Sequence, residues 1–161
     1  MPEAARPHDF DCFWDFALRI WACAPARKRL LHWQDAHDVD AILALFALWY
    51  PRRVHTHDWQ ALMQAAARWR EQTTSRVRAL RRRLKPNSPD ERQRQALYDA
   101  VKGLELACER TAAMRLCQRT QALGNPAATP DLARRLHLLF PTLPMTEILD
   151  GLPELTHVGC T

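Results

Sequence analysis

The sequence predicts an all-α protein, a single-domain bundle of five to six helices built on one long antiparallel helical hairpin. Three observations carry this. Only four of the 161 residues are glycine, while Ala, Leu, Arg and Gln are abundant, a mixture that favours helix. Large apolar residues recur three and four places apart along most of the chain. No stretch alternates apolar and polar residues for long enough to read as a strand. A chain of this length fits one domain with a substantial core.

The elements follow in order. Asp11 is placed to cap a first helix from Cys12 to about Ala24, with Phe13, Phe16, Ala17 and Ile20 on its apolar side. Pro25 suits the first turn of a second helix reaching about Ala36. Arg27, Lys28 and Arg29 near its start oppose the helix dipole, so they are candidates for solubility or partner contact. Asp38 is read as the cap of a third helix, Val39 to Tyr50. That helix is apolar almost all round, so it should lie at the centre of the bundle. Pro51 stops it. A fourth helix should run from residues 56–58 to about Leu84, with Trp59, Leu62, Ala66, Trp69, Thr73, Val77, Leu80 and Leu84 as its inner stripe. Ser88-Pro89-Asp90-Glu91 resembles a capping box and opens a fifth helix. Leu97, Val101, Leu104, Cys108 and Ala112 are its expected core stripe, and Gly124-Asn125-Pro126 closes it. The fourth and fifth helices form the hairpin. A short sixth helix carries Leu132, Leu136, Leu139 and Phe140. In domain terms, residues 1–11 read as a flexible N-terminus, 12–140 as the bundle, and 141–161 as a short helical turn and irregular tail.

Several function classes lack support in the residues. No apolar run is long enough to span a membrane. The N-terminus has no basic and apolar leader, so a cytoplasmic protein is expected. The five cysteines, Cys12, Cys23, Cys108, Cys117 and Cys160, contain no C-x-x-C pair, and reduced, mostly buried thiols are the default. His55, His57 and Asp58, with His8, Asp9 and Asp11, lack the spacing of a zinc site and read as a polar loop. No cofactor or metal is expected.

The net charge of +5 is concentrated at Arg76, Arg78, Arg81, Arg82, Arg83 and Lys85, a segment with no acid. Several guanidinium groups on one helix can contact an anionic partner. Arg52 and Arg53 are counted with the same candidate anionic contact. The six tryptophans, Trp14, Trp21, Trp33, Trp49, Trp59 and Trp69, read mainly as core, with Trp21 and Trp33 the expected exposed pair. Gln34, Asp35, Asp38 and Asp40 cluster at a helix–helix turn. They read as a cap and ion-pair group, with Arg19, Arg52 or Arg53 as partners for Asp35.

A family resemblance lies in the same stretch. Phe13-Trp14, Phe16-Ala17-Leu18, Gln34-Asp35, Asp38-Val39, Leu45-Phe46 and Trp49 form an ordered pattern that resembles the DUF2390 family of uncharacterised proteobacterial proteins. The likeness continues through Trp69, the Leu80–Lys85 segment and Ala96-Leu97-Tyr98, and fades after about Glu109. It implies a bacterial cytoplasmic helical protein and lends no activity. The family usually has Gly after QD-x-x, where this chain has His37-Asp38. It usually has Asn after DV, where this chain has Asp40-Ala41.

The residues thus point to a non-catalytic cytoplasmic binding or regulatory protein acting through a basic surface, with a protein partner favoured over nucleic acid because no base-reading element is visible. The rival is an enzyme or small-molecule binder with its site near Asp35, Asp38, His37 and His55, or an apolar ligand between the Trp-rich helices. A homodimer through the apolar flanks of the fifth and sixth helices is a third expectation.

Overall fold

The computed structural model describes residues 8–120 and 130–157. Its elements are α1 (His8–Ala22), α2 (Ala24–His37), α3 (Ala41–Trp49), α4 (Thr56–Trp69), a π-helical segment (Arg70–Thr74), α5 (Ser75–Leu84), α6 (Arg92–Thr120), α7 (Leu132–Leu139) and α8 (Met145–Thr156). Residues 56–84 form one continuous helical run through the π segment. The protein is all-α, and the described residues contain no β-strand.

The centre is α3. Leu43, Ala44, Leu45, Phe46, Ala47 and Leu48 are all buried, and α1, α2, α6 and α7 contact this helix. That is the expected fate of a helix that is apolar on every side. Phe46 meets Phe13 edge to face at 5.2 Å, and it also packs on Trp49, Tyr50 and Trp59. Pro25 stands in the first turn of α2, as its fixed φ requires.

The boundaries between α2 and α3 differ from expectation. Asp40, not Asp38, caps α3: its carboxylate accepts from the Leu43 N–H at 3.1 Å. Asp38 instead ends α2 at φ 54°, in the left-handed region that normally favours glycine. Gly is the ordinary residue for a left-handed helix end, and Asp is among the favoured helix caps.

Three other elements start or end elsewhere. The first helix begins by His8 rather than Cys12, so Asp11 lies within it. The Ser88 hydroxyl accepts from the Asp90 N–H at 3.3 Å, but this forms a turn, and α6 starts only at Arg92. Residues 145–156 form a full helix, α8, where only a short helical turn and then an irregular tail were expected. It docks on α2. Gly151 lies against Trp33, so that a Cβ there would fall 2.6 Å from Trp33 Cζ2. Trp33 is consequently fully buried rather than exposed. The expected helix end at Gly124-Asn125-Pro126, and Cys160, lie outside the described residues.

Arg135 on α7 ties this helix to the centre. Its guanidinium donates to the carbonyls of Ala47 and Tyr50 at 2.7 Å each and to that of Arg52 at 2.6 Å. These are carbonyls in the last turn of α3 and just beyond it, where the helix supplies no further N–H donors. Burial lowers the Arg135 pKa to about 10, and the Trp59 ring lies 4.7 Å beneath the guanidinium.

Candidate functional site

The α5–α6 hairpin carries most of the predicted basic segment, and the π segment decides which cations it presents. A π turn takes up one residue more than an α turn. Every position after it is therefore rotated by about 100° from an unbroken helix. Thr74 is buried instead of Thr73 sharing the inner stripe, and Leu80 is 45% exposed. Arg78 and Arg81 swing inward. Arg78 Nε donates to Glu105 Oε1 at 2.7 Å and its Nη2 to Glu109 at 3.2 Å. Arg81 donates to the other Glu105 oxygen. Desolvation pushes the Glu105 carboxyl up, but the two arginine bonds outweigh it, and the group lies below its ordinary value. Two of the six cations in the segment are thus committed to the hairpin itself.

The others face water. Arg76, Arg82, Arg83 and Lys85 are exposed. Arg76, Leu80 and Arg83 recur at i, i+4 and i+7, which places one exposed leucine between two arginines on a single flank. On α6, Leu97 and Leu104 are 57% and 50% exposed, not core residues as their spacing suggested. The positions that meet α5 are Tyr98, Glu105 and Glu109, one helical flank over. Arg94 closes the loop by donating to the Arg83 and Leu84 carbonyls at 2.8 and 3.3 Å.

Arg52 and Arg53 do not join this surface. They are exposed at the start of the helical run whose far end holds Arg82 and Arg83, roughly 40 Å away at the α-helical rise. Arg29 is also occupied, holding Glu154 through two bonds at 2.9 and 3.0 Å.

The four polar residues of the α2–α3 turn separate into different roles. Arg70, in the π segment, holds the Asp38 carboxylate at 2.6 Å and donates to its carbonyl at 3.2 Å. Asp35 is exposed, and none of the expected arginines forms an ion pair with it. Asp40 and Gln34 line a small cavity of about 30 Å³ together with Arg70, Thr74, Arg78 and Glu109. An adjoining apolar cleft of about 100 Å³ shares Gln34, Ala41, Ile42 and Glu109 and adds Trp14, Leu18 and Trp21. Desolvation raises the Asp40 carboxyl, against the cap bond from Leu43 and the Arg70 charge. Burial likewise raises Glu109, against Arg78. Chemically this is a narrow cleft with two carboxyls at one end, both raised by burial, and indole surfaces at the other. His37 and His55 lie outside it: the His55 ring stacks on His57 at 5.7 Å.

The tryptophans and cysteines complete the inventory. Trp21 is exposed and Trp14 partly so, while Trp69 donates to the Cys108 carbonyl at 3.1 Å beneath the Arg115 guanidinium. Cys108 and Cys117 are buried, and desolvation raises the Cys108 thiol. Cys12 is exposed, contrary to the buried default.

The family model "Protein of unknown function (DUF2390)" matches residues 12–116. The chain belongs to the DUF2390 family. No curated protein and no solved structure matches it. The matched part of this DUF2390 protein runs from α1 through most of α6 and contains both the hairpin and the Trp-lined cleft, while α7 and α8 lie beyond it. No helix among the described residues is long and apolar enough to cross a membrane.

Proposed function

We propose that this DUF2390 protein is a non-catalytic cytoplasmic adaptor that binds an acidic protein segment on its α5–α6 hairpin. One observation carries the reading: Arg76, Arg82, Arg83 and Lys85 remain exposed after Glu105 has taken Arg78 and Arg81, and exposed Leu80, Leu97 and Leu104 lie on the same two helices. Arginines with apolar anchors suit a protein partner, whose interface has an apolar centre and a polar rim. Nucleic acid would use the cations but has little need of the leucines. The test is capture of partners from lysate with and without nuclease. The adaptor reading expects retention after nuclease, weakening with salt, and loss in the Arg82→Glu/Arg83→Glu variant but not in Arg52→Glu/Arg53→Glu. Loss on nuclease treatment transfers the surface to nucleic acid. Light scattering of the purified chain, with Leu97→Glu/Leu104→Glu as the comparison, tests whether the partner is a second copy.

The second reading is a small-molecule site in the cleft between α1 and the α2–α3 turn. It is favoured by the paired Asp40 and Glu109 carboxyls beside Trp14 and Trp21. A screen of amphipathic amines read by tryptophan fluorescence tests it. Quenching that survives unchanged in Trp14→Phe/Trp21→Phe removes this site.

A further inference from the structure

The docking of α8 on α2 brings together three groups that the sequence keeps far apart. His32 and His37 come from the second half of α2, and Glu147 from the first turn of α8. His32 Nε2 lies 3.5 Å from Glu147 Oε2. The two imidazoles meet edge to face with centroids 5.9 Å apart. One donor atom from each of the three residues falls within 4.8 Å of the other two. Ligand atoms on a tetrahedral zinc ion, about 2.0–2.1 Å from the metal, are spaced about 3.3–3.4 Å apart. The His32–Glu147 pair, at 3.5 Å, is close to that spacing, and His37 offers its donor atom within 4.8 Å of both.

The surroundings also point to a ligand. Glu147 Oε2 is sealed from solvent and accepts no hydrogen bond, although it faces an imidazole. An acceptor in that position is normally satisfied. Arg29 approaches the same oxygen at 3.7 Å but gives its bidentate bonds to Glu154. It orients the carboxylate while its charge moderates the affinity for a cation. The Thr142 hydroxyl donates to the His37 carbonyl at 3.1 Å and anchors the end of α2 to the turn before α8.

We propose that His32, His37 and Glu147 form a binding site for one divalent cation that clips α8 to α2. Two imidazoles and one carboxylate suit a borderline ion such as zinc, cobalt or nickel, rather than calcium or magnesium, which take oxygen ligands. His32 is exposed, so the remaining coordination positions are open to water. The clip acts on a helix that lies beyond the family-matched residues, which gives the cation a structural role specific to the C-terminal part of the chain.

The experiment uses the full chain, free of any affinity tag and stripped with chelator. Calorimetric titration with zinc chloride is expected to show one ion per chain, with magnesium chloride showing none at the same concentration. The affinity should fall at least about tenfold in Glu147→Gln, the scale at which loss of a ligand-shell group registers. Saturable uptake should vanish in His32→Ala/His37→Ala with an unchanged circular dichroism spectrum. Exposed His32→Asn alone serves as the second, least disruptive variant and should weaken binding likewise. Zinc should raise the melting temperature of the parent chain and not that of the double variant. Absence of saturable zinc uptake overturns the proposal. So does uptake unchanged in the double variant, which would place the metal elsewhere, for instance on cysteine.

Discussion

Arg78 reaches across the hairpin to Glu105 with its Nε 2.7 Å from Oε1, and the same carboxylate takes Arg81 on its other oxygen. Glu105 is 9% exposed, so its removal takes from two partly buried guanidinium groups the carboxylate they share, leaving Arg78 with Glu109 and Arg81 with Tyr98. Glu105→Ala should cost about 2–4 kcal/mol in urea unfolding. The pH dependence has a definite sign. The folded carboxyl lies below its ordinary 4.5, so its stabilisation is present above that range and is lost as pH falls through the folded value. Glu105→Gln should flatten the acid limb of the stability curve. An unchanged acid limb would contradict the ion-pair role.

Asp40 gives the opposite sign. Its carboxyl is raised from 3.8, so ionisation disfavours the folded state as pH rises from about 3.8 through the folded value. Asn retains the capping geometry without the charge. Asp40→Asn should therefore be at least as stable as the parent at neutral pH, whereas Asp40→Ala should lose about 1 kcal/mol with the cap. Chemical denaturation of the two variants side by side checks this. A neutral Asp40→Ala would contradict the capping assignment.

These two residues show how far the sequence was legible. The all-apolar α3, the Pro25 helix start and the long hairpin followed from periodicity and capping chemistry. The π insertion did not, because an extra residue in one helical turn has no local signature, and it turned Arg78 and Arg81 inward while leaving Leu80 outside. Residues 141–161 read as a short helical turn and an irregular tail. In the fold, Pro153 occupies the third turn of α8 beyond the exposed Leu149, and Gly151 gives Trp33 room. The candidate site was only partly legible. Asp40 and Gln34 do line a cavity, but its partner Glu109 is 69 residues beyond Asp40 in sequence. The His32, His37 and Glu147 cluster exists only because α8 returns to α2.

Gly151 should tolerate no larger residue. A Cβ there would stand 2.6 Å from Trp33 Cζ2 and 3.1 Å from Arg29 Cδ. Arg29 can shift, but the buried indole cannot. Gly151→Ala should destabilise by about 1–3 kcal/mol through overpacking, with a change in Trp33 emission. A melting temperature equal to that of the parent would show that α8 does not rest on Trp33.

Arg135 should be replaceable only at considerable cost. Arg135→Met keeps much of the volume but takes the donor from the buried Ala47 carbonyl and from the Arg52 carbonyl. A loss of about 2–4 kcal/mol is expected, since each orphaned acceptor costs roughly 1–3 kcal/mol. Thermal denaturation checks it. A fully stable Arg135→Met would mean that these carbonyls find other donors.

The adaptor reading is tested most directly by photo-crosslinking in living cells, with a photoreactive residue placed in turn at positions 80, 83, 53 and 21. Leu80 and Arg83 sit on the hairpin flank, Arg53 at the far end of the helical run, and Trp21 at the cleft. The account predicts a discrete, nuclease-resistant protein adduct from positions 80 and 83 and none from 53 or 21. Adducts arising only from position 53 or 21, with positions 80 and 83 silent, would contradict it.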